Sequence, residues 1–212
     1  MKQKIKIAVI GGTGKSGKYV VKQLINEGFQ IKILIRNPEN FTLKNPLIEV
    51  VKGNVRDYIT VQNLMDGCQA VISTLGQPKG EASVFSQATK NIIKAMMACH
   101  VRRYIVTTGL NVDTLFDKKS AKTKFATKWM KTNYTETTTD KQVEYTVLLE
   151  SNVDWTLVRL PLIDLTDERN KLSVSLEDCV GDKISATDLA NFLVEQLCND
   201  AYIKKAPFIS NI

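Results

Sequence analysis

Histidine is almost missing from this chain, with His100 the only one. One imidazole argues against histidine-based metal centres and against a Ser-His-Asp triad, and His100 closes an apolar stretch, where it reads as a helix C-terminal residue. Cysteine is sparse and scattered. Cys68, Cys99, Cys179 and Cys198 form no C-x-x-C pair, which fits reduced thiols packed as small hydrophobes rather than disulfides or a structural zinc. Long apolar runs are lacking too. No stretch approaches the roughly 18 to 20 residues that cross a bilayer, and Lys2, Lys4 and Lys6 interrupt the N-terminal apolar segment before a signal-peptide core forms. The expected compartment is the cytoplasm, with no membrane partner.

What is present is the composition of a globular protein. Of 212 residues, 43% are hydrophobic and 24% charged, enough to bury a real core and too much apolar content for a disordered or collagen-like chain. There is no internal repeat, low-complexity block or Pro/Gly/Ser linker, so residues 1–212 read as one domain. The net charge of +7 suits a polyanionic partner, either nucleic acid or a phosphate-rich cofactor.

Short β-branched apolar runs alternate with longer amphipathic segments through the first two thirds, the pattern of βαβ units. Strands are predicted over 5–10, 30–35, 48–52, 70–74, 104–108 and 155–159, and helices over 16–27, 59–65, 83–99 and 136–150. Gly28 and Gly67 sit where helices commonly end in a left-handed turn. The last fifty residues are less regular, with a strand over 172–176 and a helix over 186–198 opened by a weak Ser185/Asp188 capping box. The fold class is α/β: a doubly wound, mainly parallel sheet with a small C-terminal substrate lobe.

The strongest local signal is Val9-Ile10-Gly11-Gly12-Thr13-Gly14-Lys15-Ser16-Gly17, which satisfies G-x-G-x-x-G between a buried strand and an amphipathic helix. Gly11 and Gly12 allow the turn out of the strand. Gly14 lets backbone N–H groups approach a pyrophosphate, and Gly17 lets the helix pack closely on the sheet. A P-loop frame also ends in Gly14-Lys15-Ser16, but it requires glycine where Val9 stands. The dinucleotide reading, a Rossmann fold, is therefore favoured. At the end of the second strand an NAD site places Asp or Glu on the ribose 2′-OH; here stands Arg36, whose planar fork suits a 2′-phosphate. NADP(H) is expected over NAD(H), with NADPH bound at least about tenfold tighter than NADH.

The chain resembles the atypical short-chain dehydrogenase/reductases, in particular the small NmrA-like and NAD(P)H flavin reductase (biliverdin reductase B-like) branch. The resemblance spans nearly the whole chain and rests on the glycine turn, Arg36-Asn37-Pro38, Gly53-Asn54-Val55-Arg56-Asp57, Arg103-Tyr104-Ile105-Val106-Thr107-Thr108-Gly109, Asp154-Trp155-Thr156-Leu157-Val158-Arg159 and Ile184-Ser185-Ala186-Thr187-Asp188-Leu189-Ala190. It implies that Thr13, Gly14, Lys15 and Ser16 meet the pyrophosphate, Arg36 the adenosine phosphate, and Asn54 and Val55 the adenine. Thr74, Leu75 and Gly76 would line the cofactor's middle. Thr107, Thr108 and Gly109, with the turn Leu160-Pro161-Leu162-Ile163, would flank the nicotinamide. Asn54 departs from the family's usual Asp, and its amide oxygen can still accept from the adenine amino group.

The larger departure is chemical. Typical members of the superfamily pair a Tyr with a Lys four residues later, and none of the six tyrosines here has that Lys: Tyr134 meets Thr138 and Tyr145 meets Leu149. Reduction of a carbonyl or epimerisation of a sugar by that pair is disfavoured. The flavin-reductase-like branch needs no such pair, because the protein mainly orients nicotinamide against a stacked flavin or linear tetrapyrrole. Thr108 and Lys141 are the candidate proton sources beside solvent; the structural alternatives are a threonine capping its own loop and a surface lysine in a helix's first turn. Function reads as NADPH-dependent reduction of a flavin, tetrapyrrole or quinone, flavin being a substrate. The alternative is a non-enzymatic NADP(H) sensor of the NmrA-like type with a protein partner.

One basic segment remains. Lys118, Lys119, Lys122, Lys124, Lys128 and Lys131 accompany Ala121, Phe125 and Trp129, which recur every four residues as a helical apolar stripe. An amphipathic helix with its lysines in water is the favoured account. A lid steering anionic acceptors and a weak nucleic-acid surface are the alternatives, the latter disfavoured because too few aromatics accompany the lysines for base stacking.

Overall fold

The computed structural model describes residues 5–78 and 80–212. Lys2 and Lys4, on which the reading of the N-terminal segment rests, lie outside them. The elements in chain order are β1 (Lys6–Ile10), α1 (Gly17–Asn26), β2 (Gln30–Ile35), β3 (Ile48–Lys52), α2 (Tyr58–Met65), β4 (Ala70–Ser73), α3 (Phe85–Ala98), β5 (Arg103–Gly109), α4 (Ala121–Asn133), α5 (Thr135–Leu149), β6 (Asp154–Leu160), β7 (Leu162–Asp164), β8 (Leu172–Ser175), β9 (Lys183–Ser185), α6 (Ala186–Glu195) and β10 (Phe208–Asn211).

Eight strands form one sheet in the order β3-β2-β1-β4-β5-β6-β10-β8. All its pairings are parallel except β10 with β8. The sheet is buried on both faces, which is why its strands read as continuous apolar runs. In β1, Ala8 and Ile10 join the core under α2, α3 and α5, while Ile7 and Val9 join the one under α1 and α6. That period of two makes a single strand serve two cores. The order reverses between β1 and β4, leaving a crevice at the carboxyl ends of these strands.

The sequence-based elements match closely in the first two thirds, and Gly28 and Gly67 adopt φ of 78° and 74° after α1 and α2. His100 follows α3 with φ 56°, a left-handed C-terminal turn. The C-terminal region divides its strands between two sheets. β8 and β10 extend the main sheet, and only β7 and β9 form a small second one. Neither β7, β9 nor β10 was legible as a strand, since three- or four-residue pairings carry too little periodicity. Ser185 does cap α6, accepting from Asp188 N–H, but the reciprocal half of the box is replaced: Ser185 N–H donates to Asn211 Oδ1.

Helix α4 inverts its sequence pattern. Phe125 and Trp129 are 72% and 52% exposed, and the helix buries Thr123 and Thr127 instead. The surface beneath it offers carbonyls beside an apolar patch of Leu110, Cys179 and Phe208 that α4 covers with Ala126 and Met130: Thr127 Oγ1 donates to Leu110 O at 2.9 Å and Thr123 Oγ1 to Cys179 O at 3.4 Å. Lys119 is not in water either. Its ammonium is buried and donates to Leu110 O and Asp113 Oδ1. Cys68 and Cys179 are buried thiols whose pKa burial pushes up to about 11, whereas Cys198 is exposed.

Candidate functional site

The turn after β1 is shaped by contacts that only glycine permits at two positions. Gly11 has φ 78°, and a Cβ there would lie 2.6 Å from the Thr74 carbonyl group at the end of β4. At Gly17 a Cβ would collide with Gly11 O and press on Thr74 Oγ1, so α1 starts hard against the turn. Thr74 Oγ1 and Gly14 N–H both donate to Gly11 O, at 3.3 and 2.9 Å. The first turn of α1 carries no acidic side chain, and Ser16 makes no side-chain capping bond among the described residues. A positive helix end with uncommitted Ser16 Oγ and a flanking Lys15 is an anion site of pyrophosphate type.

From this turn a cleft of about 990 Å³ runs along the carboxyl edge of β1, β2 and β3. Gly11, Thr13, Gly14, Lys15 and Ser16 form its floor, Thr74, Leu75 and Gly76 its middle wall, and Arg36, Asn54 and Val55 its far end. Eleven of the sequence-derived cofactor residues are thereby brought together, with Gly17 packed behind them. The size is at the upper end of small-molecule sites, as a dinucleotide requires.

The far end holds two arginines. Arg36 comes from the residue after β2 and Arg56 from the β3–α2 loop, and both line the cleft. Glu81, in the loop before α3, accepts from Arg36 Nη1 at 2.7 Å and from Arg56 Nη1 at 2.6 Å. Hydrogen bonds from Arg36 and then Arg56 hold its carboxyl below the usual carboxylate range. Asn54 Oδ1, which the family resemblance assigns to adenine, accepts from Arg56 N–H at 3.0 Å and so forms the turn that carries Arg56. Asn91, buried on α3, donates from Nδ2 to Val55 O and Arg56 O at 3.0 and 2.9 Å and fixes that loop from behind. Sequence reasoning passed over Arg56, Glu81 and Asn91. Arg56 had a local signal, its place after Asn54-Val55; the other two reach the site only through tertiary structure.

The residues assigned to the nicotinamide end continue along the same carboxyl edge, outside the wall of the cleft as it stands. Thr107 and Gly109 close β5, opposite Val158 and Leu160 of β6. Thr107 Oγ1 approaches Ser73 O at 3.5 Å, linking the β5 end to β4. Pro161 and Ile163 are partly exposed and Leu162 is exposed, all at the start of the small second sheet. Thr108 is buried, and its Oγ1 has no partner among the described residues; the same is true of Asn111 Nδ2 nearby.

Lys141 differs from a surface lysine of a first turn. It is buried in the second turn of α5, donating to Glu144 Oε2 at 2.9 Å and to Thr107 O at 3.0 Å, with Nζ 3.7 Å from the Phe85 ring centroid. Glu144 in turn accepts from Thr89 Oγ1, which lies 3.3 Å from the Tyr104 hydroxyl. Lys141 thus grips the end of β5 through a carbonyl. The N-terminus of α3, which borders the cleft at Val84, is held from α5 as well: Asp140 accepts from Ser83 Oγ at 2.6 Å and Phe85 N–H at 2.8 Å.

A cleft of this kind, set where the strand order reverses, makes the molecule a Rossmann-type dinucleotide-binding protein. The chain belongs to the NAD(P)H-binding family, whose model matches residues 11–200. It is 32% identical over 140 residues to phenylcoumaran benzylic ether reductase 1 of Arabidopsis thaliana, covering 60% of this chain and 43% of that protein. It is 26% identical over 199 residues to the photosystem II assembly factor Ycf39 of Trieres chinensis, covering 90% of this chain and 59% of that one. The chain therefore spans about half the length of these curated relatives. Among solved structures, a wide-type short-chain dehydrogenase/reductase from Veillonella parvula in complex with NADP superposes with a TM-score of 0.80 at 14% identity, covering 99% of this chain and 95% of that one. The oxidoreductase ylbE of Lactococcus lactis gives 0.80 at 19% identity, covering 98% and 91%. Both likenesses establish a shared fold. Among the described residues no helix is long and apolar enough to cross a membrane.

Proposed function

We propose that this protein is an NADPH-dependent reductase that delivers hydride to a flavin-like or other conjugated acceptor without a Tyr/Lys catalytic pair. The observation that carries this reading is the cation pair at the far end of the cleft: Arg36 stands at the end of the second strand, where an NADH-selective site presents a carboxylate from that strand, and Arg56 joins it from the next loop, the two sharing Glu81. The glycine cradle supports it, since a Cβ at Gly11 or Gly17 would fill the space in which the turn and α1 must meet. The relatives named as reductases point the same way. Bound along this cleft, the nicotinamide would supply hydride at the carboxyl edge of β4, β5 and β6.

There the chain's own groups orient and hold. Thr108 Oγ1 and Asn111 Nδ2 have unspent hydrogen bonds at the end of β5, and we assign Thr108 to the acceptor, with solvent as the other proton source. Lys141 is a positioning residue, acting through the Thr107 carbonyl that it holds. A second reading, a non-enzymatic NADP(H) sensor, draws on that buried lysine, which leaves Thr108 as the one side chain of the two candidate proton sources with no partner among the described residues, and on the similarity to an assembly factor.

The deciding measurement is NADPH oxidation at 340 nm with FMN, FAD, a linear tetrapyrrole and a quinone offered in turn. Turnover with one of them is the expected outcome. Tight NADPH binding with no turnover would favour the sensor.

A further inference from the structure

The two arginines of the adenosine end are already bridged. Glu81 gives one carboxylate oxygen to each guanidinium, Oε1 to Arg36 at 2.7 Å and Oε2 to Arg56 at 2.6 Å, so a single anion spans both cations. The three side chains come from three different loops. Arg36 follows β2, Arg56 precedes α2, and Glu81 reaches them from the loop between β4 and α3. That loop is braced further: Gln77 Nε2 donates to Glu81 O at 2.8 Å, and Arg56, itself part of the bridge, donates from Nη2 to Ala82 O at 2.7 Å. An acidic side chain thus occupies the position that the sequence, read along the second strand alone, left without one.

The bridge is arranged to be exchanged rather than kept. Its side chains are 53%, 33% and 38% exposed for Arg36, Arg56 and Glu81, and solvent-screened pairs of this kind are weak. A phosphate monoester carries more charge than a carboxylate and presents three oxygens to the same fork-shaped donors. Resting on the reading of the cleft as an NADPH site, we infer that Glu81 is a stand-in for the adenosine 2′-phosphate, displaced when NADPH binds, and that it sets how strongly the site prefers NADPH to NADH.

The consequence differs for the two cofactors. NADPH must break both ion pairs before its 2′-phosphate reaches Arg36 and Arg56, so part of the gain from those contacts is offset. NADH brings no competing anion and leaves the bridge in place. Glu81 therefore narrows the selectivity that the arginine pair alone would give.

The test is titration of Glu81→Gln and the unsubstituted protein with NADPH and NADH, followed by nucleotide fluorescence, with thermal melting to establish that the exposed substitution leaves the fold intact. The amide keeps the shape and removes the charge. NADPH is expected to bind about fivefold tighter to the variant, from the relief of two exposed pairs, with the NADH constant within about twofold of its starting value. The fragments 2′,5′-ADP and 5′-AMP, which differ only in the 2′-phosphate, should reproduce the same split when titrated by calorimetry. Equal shifts for both cofactors, or weaker NADPH binding by the variant, would overturn the inference while leaving the cofactor site standing. Failure of either protein to bind any dinucleotide would overturn both.

Discussion

Single residues decide most of what the cleft binds, and Gly17 is the sharpest case because its constraint is steric rather than conformational. A methyl group there meets the Gly11 carbonyl, which is itself the acceptor that closes the turn for Gly14 N–H and Thr74 Oγ1. Gly17→Ala must push α1 off the turn. We expect a loss of about 1–3 kcal/mol in urea unfolding and at least a tenfold (roughly) weaker NADPH constant, both measurable on one preparation. The glycine spacing was legible in the sequence, and so was Arg36. The partner of Arg36 was not, because Glu81 is separated from it by 45 residues and meets it across the cleft rather than along a strand. Lys141 shows the same limit: its type and position were readable, but its burial against Phe85, Glu144 and the Thr107 carbonyl was not.

At the scale of elements, periodicity located the helices and strands of the nucleotide-binding half, where each must bury an apolar face on a sheet. It misjudged α4, whose buried side is not the Phe125/Trp129 stripe but joins Thr123 and Thr127, bonded to carbonyls, to Ala126 and Met130 on a small apolar cluster. Helix α3 makes the complementary point. Its own N-cap, Val84, offers no side-chain acceptor, and the cap is supplied by Asp140 of the next-packed α5. Burial raises the Asp140 pKa, but the Ser83, Ser86 and Phe85 hydrogen bonds outweigh it and hold the carboxyl below its ordinary value of 3.8. A group depressed in the folded state stabilises above its unfolded pKa and loses that contribution as pH falls through the folded one. Asp140→Asn should therefore cost about 1 kcal/mol at neutral pH, with the gap to the unsubstituted protein closing below pH 4 or so (roughly the unfolded carboxylate pKa) in denaturant titrations. A gap that stayed constant down to acid would mean that the charge of Asp140 is not what caps α3.

Across the whole molecule, the C-terminal strands are tied to the nucleotide-binding sheet by one fully buried cation. Arg159, on β6, donates from Nη1 to Asp117 Oδ1 at 2.6 Å and Val112 O at 3.2 Å, from Nη2 to Leu176 O at 3.1 Å and from Nε to Ala206 O at 2.8 Å, and it stacks 3.5 Å from the Phe208 ring centroid. Removing it takes a cation from Asp117, which keeps Thr114 and Lys119, and leaves the Leu176 and Ala206 carbonyls without this donor. Arg159→Met should destabilise by about 3–5 kcal/mol in urea unfolding, with the loss concentrated in hydrogen-exchange protection of β8 and β10. By itself the sequence determined the α/β class, the strand–glycine turn–helix that opens the cleft, and the arginine at the end of β2 that lines it. These are properties of short contiguous segments, where hydrophobic period, glycine spacing and residue charge act over a few residues. Only the tertiary structure decided the strand order that opens the crevice between β1 and β4, the outward turn of the α4 aromatics, and the meeting of Glu81 with Arg36 and Arg56. Each of those depends on which surfaces the packed sheet brings opposite one another, and no local pattern records it. The sequence placed an arginine at the end of the second strand; the fold set a second arginine and a displaceable carboxylate against it.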